Sequence, residues 1–390
     1  MGYLSEALKK YYKKDKKRIV FIGGLSLSNL ALQMWEALDY QQIDSSVVSR
    51  VLNGTRLFTP KQLDVFCSLL NITSSQREYL FVCLSKDYFK RDNIILEYSW
   101  EKDSSLDQIL YAIEKLTDHA IDLFYEGKSQ SVIRQNDIIQ SFFENIHPQS
   151  LSIAQAQKFY EIYGYYLFLR DRSIAGTYTR QEASRLIRST ATFLESIGKK
   201  YNLKNLYAYA QLLHADVWYM NAKHFRKDRQ FSQALSFAYN AFSILDITHR
   251  EKLAALRLMV ACSCYVKGED TIRFAEKALS QMIAKQPIDN VVNAIHASIV
   301  LTKGKALLGD NNPFVMEDKV SKYFINAQLP TGAYFQISDI KTRVETFSLF
   351  NFRDKTILLP LIESGLKLSE NGDYPKHKQF FEKQLRQWSY

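Results

Sequence analysis

SSVVSRVLNGTRLFTPKQLDVFCSLLNIT, residues 45–73, reads as two short helices separated by a tight stop. From Ser45 to Asn53 the side chains of Val47, Val48, Val51 and Leu52 share one helix face. Ser46, Ser49, Arg50 and Asn53 fall on the opposite face at i, i+3, i+4 and i+7. Asp44 or Ser45 can accept from the free N–H groups at the helix start. The pair Asn53-Gly54 supplies the left-handed stop. A second helix begins at Thr59-Pro60, with Thr59 as cap and Pro60 in the first helical position; Leu63, Phe66, Cys67 and Leu70 form its apolar stripe. Upstream, Leu30, Ala31, Met34, Trp35 and Leu38 give the stripe of a supporting helix, followed by the polar stretch Asp39–Asp44. Downstream, Ser75-x-x-Glu78 is a capping box for a further helix carrying Tyr79, Leu80, Cys83 and Leu84.

A short helix that buries valines on one side and offers serine, asparagine and arginine on the other suits a duplex-reading role. Base edges are read by bonds that carry sequence, while phosphate contacts set register. Ser46, Ser49 and Arg50 are expected nearest the bases, Ser45 and Asn53 complete the surface, and Thr55 and Arg56 reach the backbone. Over Ser28 to Thr73 the chain resembles the phage-repressor-type (Xre/Cro-like) helix-turn-helix domain. The likeness lies in the serine-rich helix, the Asn-Gly stop, the basic residue after it, and the proline-initiated helix ending in Leu-Asn-Ile. The stretch Asp39–Asp44 is longer than the usual three- or four-residue turn. The net charge is +10, and Lys9, Lys10, Lys13, Lys14, Lys16, Lys17 and Arg18 stand against Glu6 and Asp15 near the N-terminus. Charge of that sign beside a DNA reader steers association with phosphate.

Behind this segment the chain reads as amphipathic helix. Fourteen glycines and seven prolines in 390 residues leave few breakers, which favours long helices and argues against a turn-dense all-β chain. The aromatic residues recur at helical spacing, as in Phe159, Ile162, Tyr163, Tyr166 and Leu167, and this predicts core packing between stacked helices. Trp218-x2-Asn221-Ala222-x2-Phe225 followed by Ala234-x3-Ala238-x2-Ala241 fits the roughly 34-residue tetratricopeptide pattern, in which small residues let two helices approach and aromatics fill the gap. A looser unit follows, with Cys262, Tyr265, Ala275, Leu279, Met282 and Pro287. Upstream, Phe159 to Leu169 and Glu182 to Ile197 form another candidate pair, and downstream Val291 to Leu308 and Lys341 to Leu368 are expected to continue the array. The expected fold is all-α: a helix-turn-helix domain over residues 1–90, then a degenerate tetratricopeptide-like α-solenoid over 91–390.

A stack of helix pairs presents a long concave surface suited to an extended peptide, whose backbone side-chain amides can bond. Candidates are Asn202, Asn205, Tyr209, Tyr219, Asn221, Arg226, Asn240, Arg257, Asn290 and Asn293. A phage-repressor-type reader followed by such repeats resembles the peptide-pheromone receptors of the RRNPP group, in layout most of all its arbitrium-receptor branch, which governs lysis and lysogeny in phages of bacilli. The resemblance implies a cytoplasmic transcription regulator, a double-stranded DNA operator and a short signalling peptide as partners. It also implies a homodimer whose hold on DNA the peptide alters. C-terminal helices make the dimer contact in that family. Here Thr356 to Trp388, with Ile357, Leu358, Leu359, Leu361, Ile362 and Leu366, is the corresponding segment, and closure of the last repeat is the other reading of the same residues.

Other function classes find little support. No P-loop, no GxGxxG after a strand, no HExxH and no GxSxG occurs, so no enzymatic activity is expected. His214 and His224 read as packed or surface histidines. Cys67 and Cys83 lie on apolar faces, and Cys262-x-Cys264 lacks a second ligand pair, so neither a metal nor another cofactor is expected. No apolar run approaches the roughly 18 residues of a membrane span, and no apolar signal region opens the chain, which together predict a cytosolic protein without a membrane partner. A tetratricopeptide adaptor whose N-terminal bundle touches protein and not DNA is the alternative, as is a helix-turn-helix protein whose repeats recruit another protein.

Overall fold

The computed structural model describes all residues except 1, 16–17, 40–42, 95–103, 126–128, 175–179, 226–227, 267, 286–290, 311, 324–332, 350–354, 372–373 and 389–390. The described residues are helical but for one two-stranded hairpin, so the all-α class holds. The chain divides into two compact units, one of residues 1–121 with 130–163 and one of residues 122–129 with 164–390. The first unit holds residues 1–90 together with helical segments that follow them.

The first unit opens with α1 (Tyr3–Leu8) and the antiparallel hairpin β1 (Tyr12–Asp15) and β2 (Arg18–Phe21), paired Tyr12 to Phe21 and Asp15 to Arg18. Then come α2 (Leu27–Ala37), α3 (Ser45–Leu52), α4 (Pro60–Leu69) and α5 (Ser74–Asp92). Leu30, Ala31, Met34 and Leu38 are buried as their stripe predicted; Trp35 is exposed, because the partners of α2 meet only the narrower seam. Thr59 and Gln62 close a reciprocal capping box at α4. The start of α5 differs from expectation: Thr73 with Gln76 forms the box, two residues before Ser75 and Glu78, and Tyr79 is left exposed while Leu80, Cys83 and Leu84 are buried. Phe21 seats the hairpin by packing edge-on against Phe66 of α4.

Two buried polar contacts fix the arrangement. The Asp87 carboxylate of α5 accepts the Tyr3 and Leu4 N–H groups at 2.8 and 2.9 Å, so a side chain from a distant helix supplies the missing partners at the start of α1. The Tyr88 hydroxyl donates to the Phe58 carbonyl at 2.9 Å, pinning the loop between α3 and α4. Three further helices, α6 (Ser105–Tyr125), α7 (Ser129–Glu144) and the start of α8 (Ile153–Ile174), extend the unit. Phe142 of α7 meets Phe81 and Tyr88 of α5 edge-on, and Lys158 of α8 pairs with Asp107 of α6 at 3.2 Å.

The second unit is a run of antiparallel helix pairs. Its helices are α9 (Arg180–Tyr201), α10 (Lys204–Phe225), α11 (Asp228–Ile244), α12 (Arg250–Val266), α13 (Glu269–Met282), α14 (Val291–Leu307), α15 (Val315–Tyr323), α16 (Ala333–Leu349), α17 (Lys355–Asn371) and α18 (Pro375–Trp388). Successive helices from α9 to α15 pack on one another, as do α16, α17 and α18, and α10, α12, α14 and α16 also pack on one another as a row. This is the two-row layout of stacked helical repeats. The alanines of the clearest repeat do what their size allows: Ala222, Ala234, Ala238 and Ala241 are all fully buried. In the looser unit, Cys262, Ala275, Leu279 and Met282 are buried, Tyr265 is exposed, and Pro287 lies outside the described residues. The segment Lys341 to Leu368 takes in the end of α16 and most of α17.

In the C-terminal segment α16, α17 and α18 pack together around one core. Ile362 and Phe381 are fully buried in a core with Ile337 and Val344; Leu358 is also fully buried, whereas Ile357 is exposed. Gly365 lets this core close: a Cβ there would stand 2.4 Å from the Phe381 ring.

Candidate nucleic-acid interface and the row of repeat helices

α3 forms because its two faces have separate work. Val47, Val48, Val51 and Leu52 are buried, each contributing roughly 1.5–3 kcal/mol of apolar burial. Ser46, Arg50 and Asn53 are exposed on the other side; Ser45 and Ser49 are half-buried. Asp44 is the cap, accepting the Val47 N–H at 2.8 Å and the Ser46 hydroxyl at 2.7 Å, and these bonds hold its carboxyl below the usual range. Arg50 folds back along the helix, its Nε donating to the Ser46 carbonyl at 3.3 Å and its guanidinium to the Ser46 hydroxyl at 3.4 Å. The stop follows the sequence reading in one detail more: Gly54, at φ 72°, carries the left-handed turn while Asn53 stays right-handed. The Thr55 N–H and hydroxyl are both spent on the Arg50 carbonyl, at 2.9 and 3.1 Å, so its first role is to close α3. Arg56 is exposed.

The basic run at the N-terminus lies partly on the hairpin, an element sequence reasoning missed. Lys13, Lys14 and Arg18 are exposed on its strands, Lys9 pairs with Glu6, and Lys10 lies over the Tyr79 ring. Lys16 and Lys17 lie outside the described residues. The available signal was Ile19-Val20-Phe21, a β-branched and aromatic triplet following a charged turn.

The residues expected to line a peptide site separate into several groups. Tyr219 and Asn221 are half-buried on α10, as is Arg257 on α12, both helices of the packed row. Asn205 is half-buried in the first turn of α10. Asn293 is buried on α14. Tyr209 is a correction: it is buried, stacked on Phe168 with centroids 4.7 Å apart, and its hydroxyl meets His249 Nε2 at 3.0 Å, so it belongs to the core. Asn202 is exposed at φ 56°, where it ends α9 in the left-handed conformation that asparagine tolerates. Asn240 is exposed on α11, outside the row, 3.5 Å from the Gln211 amide. Arg226 and Asn290 lie outside the described residues, as does the His224 side chain.

Charged contacts cross the row from helix to helix. Arg172 of α8 bridges Asp216 of α10 at 3.0 Å and Glu251 of α12 at 2.9 Å. Lys303 and His296 of α14 pair with Glu345 and Asp339 of α16. His214 is half-buried beside Glu195, and burial lowers its proton affinity. The four cysteines are unpaired thiols, and burial raises Cys67 to about 12 and Cys264 to about 11. Among the described residues no group of histidine, cysteine and carboxylate side chains has the geometry to hold a metal, and no helix is long and apolar enough to cross a membrane. The chain matches no family model and no curated protein.

Proposed function

We propose that the chain is a DNA-binding transcription regulator whose reading helix is α3, and that its helical repeats receive a short signalling peptide. On this reading it works as the RRNPP-type receptors do, which it resembles, and acts as a dimer on a two-fold operator. The observation that carries the DNA reading is the division of α3: four aliphatic side chains seal one face into the core while Ser46, Arg50 and Asn53 stand in solvent with Arg56 just beyond. Nothing on that exposed face serves folding beyond the local bonds among Asp44, Ser46 and Arg50. The repeats support the second half, because a row of four packed helices offers polar and aromatic side chains from several turns to one extended ligand. A peptide that binds one dimer geometry better than another shifts the population between gripping and released forms.

The test is a mobility-shift assay of the purified chain on the DNA flanking its own coding region. Salt-dependent, sequence-selective binding is expected, and Arg50→Ala should weaken it by roughly 1–3 kcal/mol while leaving the fold intact. An unchanged footprint and affinity for that variant would remove Arg50 from the reading face. No binding by the parent chain at low salt would favour the adaptor.

A further inference from the structure

Four consecutive helices of the row contribute to one cluster in the second unit. Tyr219 and Lys223 come from α10, Tyr265 from α12, Lys303 from α14, and Lys341 and Glu345 from α16. Lys303 takes the Glu345 carboxylate in an ion pair. Lys223 and Lys341 have no ion pair among the described residues. Each instead lies over an aromatic ring: Lys223 over Tyr219 at 5.0 Å, Lys341 over Phe380 at 4.8 Å. Burial, then the like charge of Lys223, lower the proton affinity of Lys341, and Lys303 adds to this while Glu345 opposes it. Beside the cations stand rings from three helices, with Phe231 stacked on Tyr265 at 4.1 Å and nearly parallel.

Tyr219 and Tyr265 meet edge-on at 6.4 Å, so the cluster sets three lysines against the single Glu345 carboxylate that Lys303 holds, a surplus of like charge that an anion bound among them would offset. Bare phosphate would use the cations alone. The aromatic wall adds a reason for a ligand with a carbon body and one charged end. We propose that Lys223, Lys303 and Lys341 form a capture site for the C-terminal carboxylate of a short peptide, with Tyr219 and Tyr265 flanking the residue that carries it. The site gives the ligand a polarity along the row: its free end lies toward α14 and α16. This rests on the peptide-receptor reading and deepens it.

The experiment offers the full chain a random hexapeptide pool with free C-termini and, separately, the same pool amidated. Retained peptide is counted by mass spectrometry after gel filtration. The free-acid pool should be retained at least about tenfold better, since a charge-assisted contact is lost on amidation. Lys341→Met and, at an exposed position, Lys223→Met should each erase most of that preference, while Lys319→Met on α15 keeps it. Circular dichroism and thermal unfolding certify that the variants fold. Equal retention of both pools by the parent chain overturns the capture site and leaves the peptide reading standing, as does a preference that survives in folded Lys223→Met and Lys341→Met. Retention of neither pool overturns the peptide reading itself.

Discussion

Replacing Gly54 by alanine tests whether the end of α3, the proposed reading helix, is held by the N-terminal helix. Two costs add at this position. The backbone is left-handed at φ 72°, which for an L-residue costs about 1–2 kcal/mol, offset by roughly 0.4–1 kcal/mol from the stiffer unfolded chain. A Cβ would also stand 2.9 Å from the Ser5 hydroxyl oxygen and 3.1 Å from the Gly2 nitrogen. Ser5 is buried and its hydroxyl bonds Gly2, so neither atom is the loose end of a flexible chain. Overpacking of this kind costs typically about 1–3 kcal/mol. Gly23→Ala is the internal control, because Gly23 has φ 86° in the same compact unit and nothing within 4 Å of its Cβ position. Urea unfolding followed by circular dichroism should show Gly54→Ala losing about 1–3 kcal/mol more than Gly23→Ala. The double variant Ser5→Gly, Gly54→Ala should recover part of the excess. Equal losses for the two single alanine variants would refute the close approach of α1 to the α3 stop.

Three further outcomes are expected. Combined Lys13→Ala, Lys14→Ala and Arg18→Ala should flatten the salt dependence of DNA affinity by about 0.9 in slope for each phosphate contact the hairpin makes, with the footprint unchanged; an unaltered slope would exclude the hairpin from the interface. His249 accepts the Glu251 N–H at Nδ1 and is held neutral by burial, so its folded pKa lies below the unfolded value of about 6.5. As pH falls below that value the unfolded chain binds the proton first, so the stability advantage of the parent over His249→Gln should shrink between pH 7.5 and 5.5; a gap independent of pH would show that the ring does not titrate differently on folding. Arg172→Met strands the buried Glu251 carboxylate and should cost roughly 3 kcal/mol, partly regained in Arg172→Met, Glu251→Gln; no recovery in the double variant would place the loss elsewhere.

The sequence was informative where one helix carries its whole instruction. Asp44, the four aliphatics of α3, the left-handed turn at Gly54 and the Thr59-Pro60 start are written in local sequence, so periodicity and capping chemistry reveal them, whereas the approach of α1 to Gly54 is not. Tyr209 shows the limit of that approach. Its spacing on α10 is compatible with either row face, and only the stack on Phe168 and the bond to His249 decide that it faces the core. Asn202 and Asn240 were attractive because asparagine amides suit peptide backbones, yet one ends a helix and the other sits outside the row. Lys223, Lys303 and Lys341 could not have been found, since three helices far apart in sequence bring them together and no local pattern marks any of them. The hairpin was missed because a lysine run dominates its composition and masks a short β-branched strand.

On the proposed reading, the exposed face of α3 shows how a small helix stays ordered while keeping its polar side chains available. Arg50 is not free in the isolated chain: its two bonds run to the carbonyl and hydroxyl of Ser46, at 3.3 and 3.4 Å. Both are long and exposed, so water replaces them at little cost. On the proposed reading a bidentate contact to a guanine, contributing about 1–3 kcal/mol, takes their place. The resting bonds therefore keep the guanidinium along the helix surface and limit the rotamers it must give up on binding. Asp44 anchors the arrangement through Ser46, and the same carboxylate caps the helix, so the order of the helix start and the placing of Arg50 come from one residue. Had Arg50 instead been paired directly with Asp44, binding DNA would have required breaking an ion pair beside a polyanion. The serine between them removes that conflict.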